Sequence, residues 1–473
     1  MQWQSRARAV CGLIFASLAA CSVGTPYRRP DIPLPQQWNA TAANGANPAP
    51  DTQAGVWPES DWWHGFGSDR LDELITEAQR SNDDLAGAIA RVQEADAQLR
   101  IAGAPLLPSV DLGATATRER GSVSGEGISV FNLFNPVLTA SYELDFWGKN
   151  RAARDAARAA AVASRYDQQT VALTVVSSVA TTYFQALELR DRLQVAHQNL
   201  ENGDKILHGL TFEQEVGTAT GLDVAQQATV VAQLYAAIPP LEEQFKQTVY
   251  ALAVLIGRTP ESIDVNDGTL TALKAPPVVS GLPSKLLTRR PDIAEAEQQL
   301  IAANANITVA RTELFPTIEL TASGGYESNV LSSLVSPANR VYALSAGLTQ
   351  PIFHGGALRG ELAFSKARYT ELATTYHKTV LTALSNVEGA LVAARQTAAQ
   401  EERQADAVAK ARRAYEFAQA QMSAGTVNIL TVLNTENALF SAQDTLVQVQ
   451  YSHLQALVDL FTALGGGWHE GYS

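Results

Sequence analysis

Two periods of apolar residues alternate along this chain. From about Asp69 to Ala104, Leu71, Leu74, Ile75 and Ala78, then Leu85, Ile89, Val92 and Leu99, recur at three- and four-residue spacing, which predicts an amphipathic helix. Pro108 closes it, and the period drops to two. Val110, Leu112, Ala114 and Ala116 alternate with Ser109, Asp111, Gly113, Thr115 and Thr117. On the return, Leu138, Ala140, Tyr142, Leu144 and Phe146 alternate with Val137, Thr139, Ser141, Glu143 and Asp145. The pattern predicts two strands, about 108–119 and 136–146. No proline occurs from Val137 to Ile238, and strong helix formers dominate there, so a long helix pair is expected over about 150–257. Val179, Ala186, Leu193, Leu200 and Leu207 recur every seventh residue, the spacing of coiled coils.

The same order then returns. Asp84-Leu85-Ala86 matches Asp292-Ile293-Ala294, Pro108 matches Pro316, Gly217 matches Gly425 and Gly257 matches Gly465, all 208 residues apart. A slip of one sets Phe146-Trp147-Gly148 against Phe353-His354-Gly355. Strands are therefore expected at about 316–327 and 341–352, and a second helix pair at about 357–464. Leu433, Phe440, Val447, Leu454 and Phe461 repeat the heptad spacing in the last helix. Each first long helix would reach on the order of 100 Å at 1.5 Å per residue. Pro239 and Pro240 interrupt one return helix and have no counterpart at Val447 and Gln448. A period this long marks a duplicated unit and not a solenoid. The copies span 57–257 and 289–465, joined by a Pro-rich linker at 258–288 that reads as an irregular outer belt, with a tail at 466–473.

Strands with one apolar and one polar face suit either a membrane barrel or a soluble sheet with one buried face. The N-terminus favours the envelope. Arg6 and Arg8, an apolar run from Ala9 to Ala20 and the small residues before Cys21 form an export signal at 1–20. Leu18-Ala19-Ala20-Cys21 resembles the bacterial lipobox, which implies a covalent lipid on Cys21 and, with Ser22 next to it, sorting to the outer membrane. Cys11 falls within the signal, so Cys21 has no disulfide partner. Residues 21–56 read as an extended tether. Beyond the signal no run of 18 apolar residues occurs, so a bilayer crossing is expected to be strand. Acidic residues exceed basic ones by 48 to 35, which argues against nucleic acid.

Chemistry is absent from the pattern. The seven histidines show no close metal spacing, and the glycine-rich places lack a P-loop or dinucleotide fingerprint. Trp57, Trp62, Trp63 and Phe66 read as core packing, and neither an enzyme nor a cofactor is expected. Four strands cannot close alone, because open edges are not tolerated in lipid and the smallest membrane barrels have about 8 strands. Several chains must share a barrel, and a conducting one favours three or more.

Several motifs carry a family resemblance: the lipobox at Cys21, Trp63 to Leu71, Asn82 to Pro108, Arg290-Pro291-Asp292-Ile293 to Pro316, Phe353-His354-Gly355-Gly356 and Gly425 to Gln443. They resemble the outer membrane factor family, the TolC-type ducts of tripartite efflux pumps, in its lipoprotein branch. The resemblance implies an α+β membrane protein that works as a homotrimer. Four strands per chain would give a twelve-stranded outer membrane barrel, and the long helices a periplasmic α-barrel. It implies a periplasmic adaptor (membrane fusion) protein and an inner-membrane proton-driven RND-type transporter as partners. A duct for type I protein secretion, or a lipid-tethered coiled-coil envelope scaffold, are the alternatives. It further implies adaptor contacts at Val216-Gly217-Thr218 and Ala424-Gly425-Thr426, and a periplasmic gate at Leu430 and Asn434. Many relatives carry a carboxylate where Asn434 stands, and Asp223 in the first copy is expected to supply some negative charge there.

Overall fold

The computed structural model describes residues 24–39, 59–123, 126–265, 267–277, 283–466 and 468. The export signal, Cys21, Ser22 and Trp57 lie outside the described residues. In chain order come α1 (Asp69–Ser81), α2 (Asp83–Gly103), β1 (Ser109–Val123), β2 (Glu126–Glu143), α3 (Lys149–Glu215) and α4 (Gly221–Leu255). The second copy runs α5 (Pro291–Thr312), β3 (Thr317–Tyr326), β4 (Arg340–Thr349), α6 (Ala357–Ser423) and α7 (Ile429–Ala463). The long helices match residue for residue: α3 and α6 have 67 residues each, α4 and α7 have 35 each.

Several expectations change. The slip of one is confined to the loop before the long helix. Gly148 (φ 81°) and Gly356 (φ 89°) are the true counterparts, each preceding a helix start 208 residues apart, and Gly355 is the additional residue. The first helix is two helices, because Asn82 takes an extended conformation that ends α1, while its Oδ1 accepts from the Leu85 N–H at 3.0 Å and starts α2. The first hairpin is longer than expected. Arg118, Glu119 and Arg120 break the apolar alternation, yet they pair in register with Asn132, Phe131 and Val130. Helix α4 runs through Pro239 and Pro240 without a break. The carbonyls those prolines deprive of partners belong to Tyr235 and Ala236, both exposed residues, so the loss falls on the solvent side of the helix, where it costs least.

The chain divides into two compact units. The first takes in residues up to Asp31 with Ala90–Arg165 and Glu295–His377. It holds an antiparallel sheet in the order β1-β2-β3-β4. Asp145 accepts from the N–H groups of Asn150 and Arg151, both at 3.0 Å, and so caps α3. Trp147 donates to the Pro316 carbonyl at 2.8 Å and packs on Phe315. The start of the tether is docked within this unit. Arg29 grips Glu297 with two bonds of 2.6 and 2.5 Å, and Asn304 donates to the Thr25 carbonyl at 3.1 Å.

The second unit comprises Ile32–Ile89, Tyr166–Ala294 and Lys378–Ser473. Its main core packs Trp62, Trp63 and Phe66 with Leu71, Leu74 and Ile75 against Val179, Phe184, Leu252, Val458 and Phe461. Trp62 stacks on Phe461 at 4.9 Å. One stretch of α3 has the length and apolarity to cross a membrane, contrary to the sequence reading. Its Val175, Val176, Val179, Ala180 and Phe184 are buried in this core, which accounts for the apolarity. Of the heptad residues, Val179, Ala186 and Leu200 are buried and Leu193 and Leu207 half-buried, and all five in α7 are buried. Arg192 of α3 binds Asp444 of α7 at 2.6 Å and Glu188 at 3.1 Å. Trp38, 2% exposed, sits among Leu286, Val387, Leu460 and Leu464, so this part of the tether is anchored too.

Both copies close by one device. Asn82 donates to the carbonyl of Leu255 at 2.8 Å, and Arg290, its counterpart, donates to the carbonyl of Ala463 at 2.8 Å. Each bond occupies a carbonyl at the C-terminus of the copy's last helix, where the helix cannot satisfy it. Asp292 holds the Arg290 guanidinium with bonds of 3.0 and 2.6 Å. The glycine that follows each helix has positive φ and lies so close to the entering chain that a Cβ would strike backbone: Ser81 O at Gly257, Arg289 O at Gly465.

Candidate functional site

In the first unit the strand register sorts side chains into rows. One row runs Val110, Ala140, Ala322, Leu344, and the next runs Leu112, Leu138, Gly324, Tyr342. Val110, Leu112, Leu138, Tyr342 and Leu344 are exposed, Tyr342 at 85%. The rows between them are mainly polar: Ser109, Ser141, Thr321, Ser345, and Asp111, Thr139, Ser323, Ala343. A soluble sheet would bury its apolar face, and here that face is uncovered, as in a wall that turns it to lipid. Glu143 and Glu319 stand directly opposite on the polar face, a repulsive pair. Lys149 Nζ, 3.8 Å from Glu143, offsets part of that repulsion. Among the described residues β1 and β4 each have one neighbour, so both sheet edges are open there.

The two helix turns in the second unit are built alike. Gly217 (φ 84°) and Gly425 (φ 72°) take the left-handed conformation that lets the chain reverse, and open space surrounds both. Thr218 donates to the Glu213 carbonyl from its N–H (2.8 Å) and its hydroxyl (3.0 Å). Thr426 does the same to Gln421, at 2.9 and 3.0 Å. Val216, Thr218, Ala424 and Thr426 are exposed. The next helix is then capped, α4 by Thr220 and α7 by Asn428. The two threonines are thus part of the turns, and their hydroxyls cannot be replaced at no cost to the turn.

Leu430 and Asn434 both lie exposed in the first turns of α7, one helical turn apart on the same face. Asp223 stands in the first turn of α4. Its carboxylate accepts from the Thr220 N–H (2.9 Å) and hydroxyl (2.7 Å), and these bonds, the hydroxyl's first, hold its pKa below the usual aspartate value. The first-copy counterpart of Leu430 is Leu222, also exposed. Sequence reading passed over it, although adding the repeat spacing would have found it.

A model of the outer membrane efflux protein family matches residues 74–258 and again 282–466, once per copy. The chain belongs to that family. It is 40% identical over 461 residues to OpmQ of Pseudomonas putida, a pyoverdine export outer membrane protein, covering 96% of each chain. To CusC of Escherichia coli, a cation efflux system protein, it is 31% identical over 457 residues, covering 96% of this chain and 97% of the relative. Among solved structures, the outer-membrane channel OprN superposes with a TM-score of 0.87 at 26% identity, over 95% of this chain and 100% of the other. The expected fold class holds, and the protein is an outer membrane efflux channel.

One group near the turns of this efflux channel escaped sequence reading. Glu436 of α7 is fully buried, and neither carboxylate oxygen has a hydrogen-bond partner among the described residues. Burial pushes its pKa up to about 7. The signal was present, because Glu436 falls on the apolar stripe of Val432, Leu433, Leu439 and Phe440. The phenol of Tyr415 on α6 feels its charge and rises to about 12, chiefly through its own burial.

Proposed function

We propose that three copies of this chain form the exit duct of a tripartite efflux pump, anchored in the outer membrane by lipid on Cys21 and engaged from the periplasm by an adaptor that links it to an inner-membrane RND-type transporter. The observation that supports it best is the four-stranded sheet with an uncovered apolar face and two open edges. Such edges must be paired in lipid, and pairing β4 of one copy with β1 of the next closes a barrel without adding any strand. Three copies supply twelve strands, enough to leave a water-filled lumen. Transport through it is passive. OpmQ and CusC serve pyoverdine export and cation efflux on one fold, which fits a duct whose cargo is chosen by its transporter.

The experiment is direct. Extracted in mild detergent, the unboiled protein should have three times the chain mass, fall to one chain on boiling, and conduct ions in planar bilayers. A monomer without conductance would overturn the reading. Cys21→Ala should abolish incorporation of labelled palmitate while part of the protein remains in the membrane, held by its barrel. Labelled palmitate still found in that variant would place the lipid elsewhere.

A further inference from the structure

The lipid-facing side of the sheet is not flat. Near the strand ends that join the helices, a groove of about 510 Å³ opens across β2, β3 and β4. Ala140, Tyr142, Leu320, Ala322, Leu344 and Ala346 supply its apolar lining. Its shape follows from register. Ala140 pairs with Ala322, and Leu320 with Ala346, so small methyl groups form the floor between Tyr142, Leu320 and Leu344. Pro108, the residue before β1, also lines it.

The N-terminal segment runs along α5 toward the end that leads into β3. Arg29 is held by Glu297, Thr25 by Asn304, and Gly24 lies against Thr308, so the chain advances along α5 in the direction of β3 as it is followed back toward its start. At Gly24 the approach is so close that a Cβ would sit 2.8 Å from the Thr308 hydroxyl. Ser22 and Val23 alone separate Gly24 from Cys21, a reach of at most about 11 Å. The four residues from Thr308 to the end of α5 rise about 6 Å, less than that reach, and the short stretch Glu313 to Pro316 that leads on to β3 is left for the acyl chain itself to span. The groove lies just beyond: Leu320 and Ala322 belong to the first six residues of that strand.

We propose that this groove seats an acyl chain carried by Cys21. The inference rests on the lipid reading above and adds a site to it. Gly24, held against Thr308, is three residues from the lipid-bearing cysteine, and the alanine floor gives the acyl chain a surface on which methylene groups pack by dispersion, the contact that still distinguishes surfaces in lipid. The seat orients the anchor along the barrel wall.

Photocrosslinking in the outer membrane tests it. With the full-length chain carrying Leu344→p-benzoylphenylalanine, illumination and proteolysis should yield the β4 peptide joined through an acyl chain to the peptide that begins at Cys21. The same probe in place of Leu112, in β1, should capture phospholipid only. Phospholipid alone at Leu344, in protein whose intact mass shows an acylated Cys21, would overturn the seat while leaving the anchor. An intact mass without lipid would remove both. As a second measure, Ala322→Trp fills the groove and should lower the dissociation temperature of acylated trimers by several degrees, but not that of Cys21→Ala trimers. Equal effects in both would count against the proposal.

Discussion

Glu436 holds a carboxyl where the helix stripe calls for an apolar residue, and its protonation sets a pH dependence. The folded-state pKa, about 7, lies above the ordinary glutamate value because burial disfavours the charge. Below the ordinary value both states hold the proton and stability is at its fullest. As pH rises the unfolded chain ionises first, and the contribution is lost by the time pH passes about 7. The loss is on the order of 3 kcal/mol per chain. Thermal unfolding between pH 5 and 8 should therefore fall more steeply for the native chain than for Glu436→Gln, and parallel curves would show that this carboxyl is solvated. If the proposed trimer closes at Leu430 and Asn434, Leu430→Ser should raise single-channel conductance, and Asn434→Asp should add block by divalent cations that weakens as pH falls, because three carboxylates around an axis attract cations only while ionised. Unchanged conductance would move the constriction away from Leu430. Of the residues in this stretch, the exposure of Leu430 and Asn434 on one face agrees with their spacing in the sequence, whereas Glu436 was hidden because attention to exposed charges passes over a buried one.

At the scale of elements, the long helices were readable to within a residue or two, because proline-free runs and glycine turns bound them on both sides. What sequence alone missed came from side chains acting on backbone. Asn82 splits a continuous apolar periodicity by bonding at once to Leu85 N–H and the Leu255 carbonyl, and no spacing rule reports that. Asn82→Ala should cost about 2 kcal/mol, the sum of a lost cap and an orphaned carbonyl, measured as a shift in denaturant midpoint. The turns offer a cleaner test of adaptor contact than their threonines, whose hydroxyls bind Glu213 and Gln421. Val216 and Ala424 make no such side-chain bond. Val216→Trp with Ala424→Trp should abolish efflux in cells while detergent-resistant trimers persist; normal efflux would take the adaptor elsewhere.

For the whole molecule, the duplication was the most legible feature and the tether the least. Arg29 and Trp38 stand in a Pro-rich stretch without periodicity, and only their distant partners, Glu297 and the Leu286–Val387 cluster, reveal that they are anchors. The bonds from Asn82 to Leu255 and from Arg290 to Ala463 clasp the two ends of each copy 173 residues apart. A polypeptide whose halves each bring their own ends together does not need the covalent link between them. Expressed as two separate exported chains divided within the 258–288 linker, the halves should meet in the envelope and build a six-chain ring, three of each, that conducts like the parent.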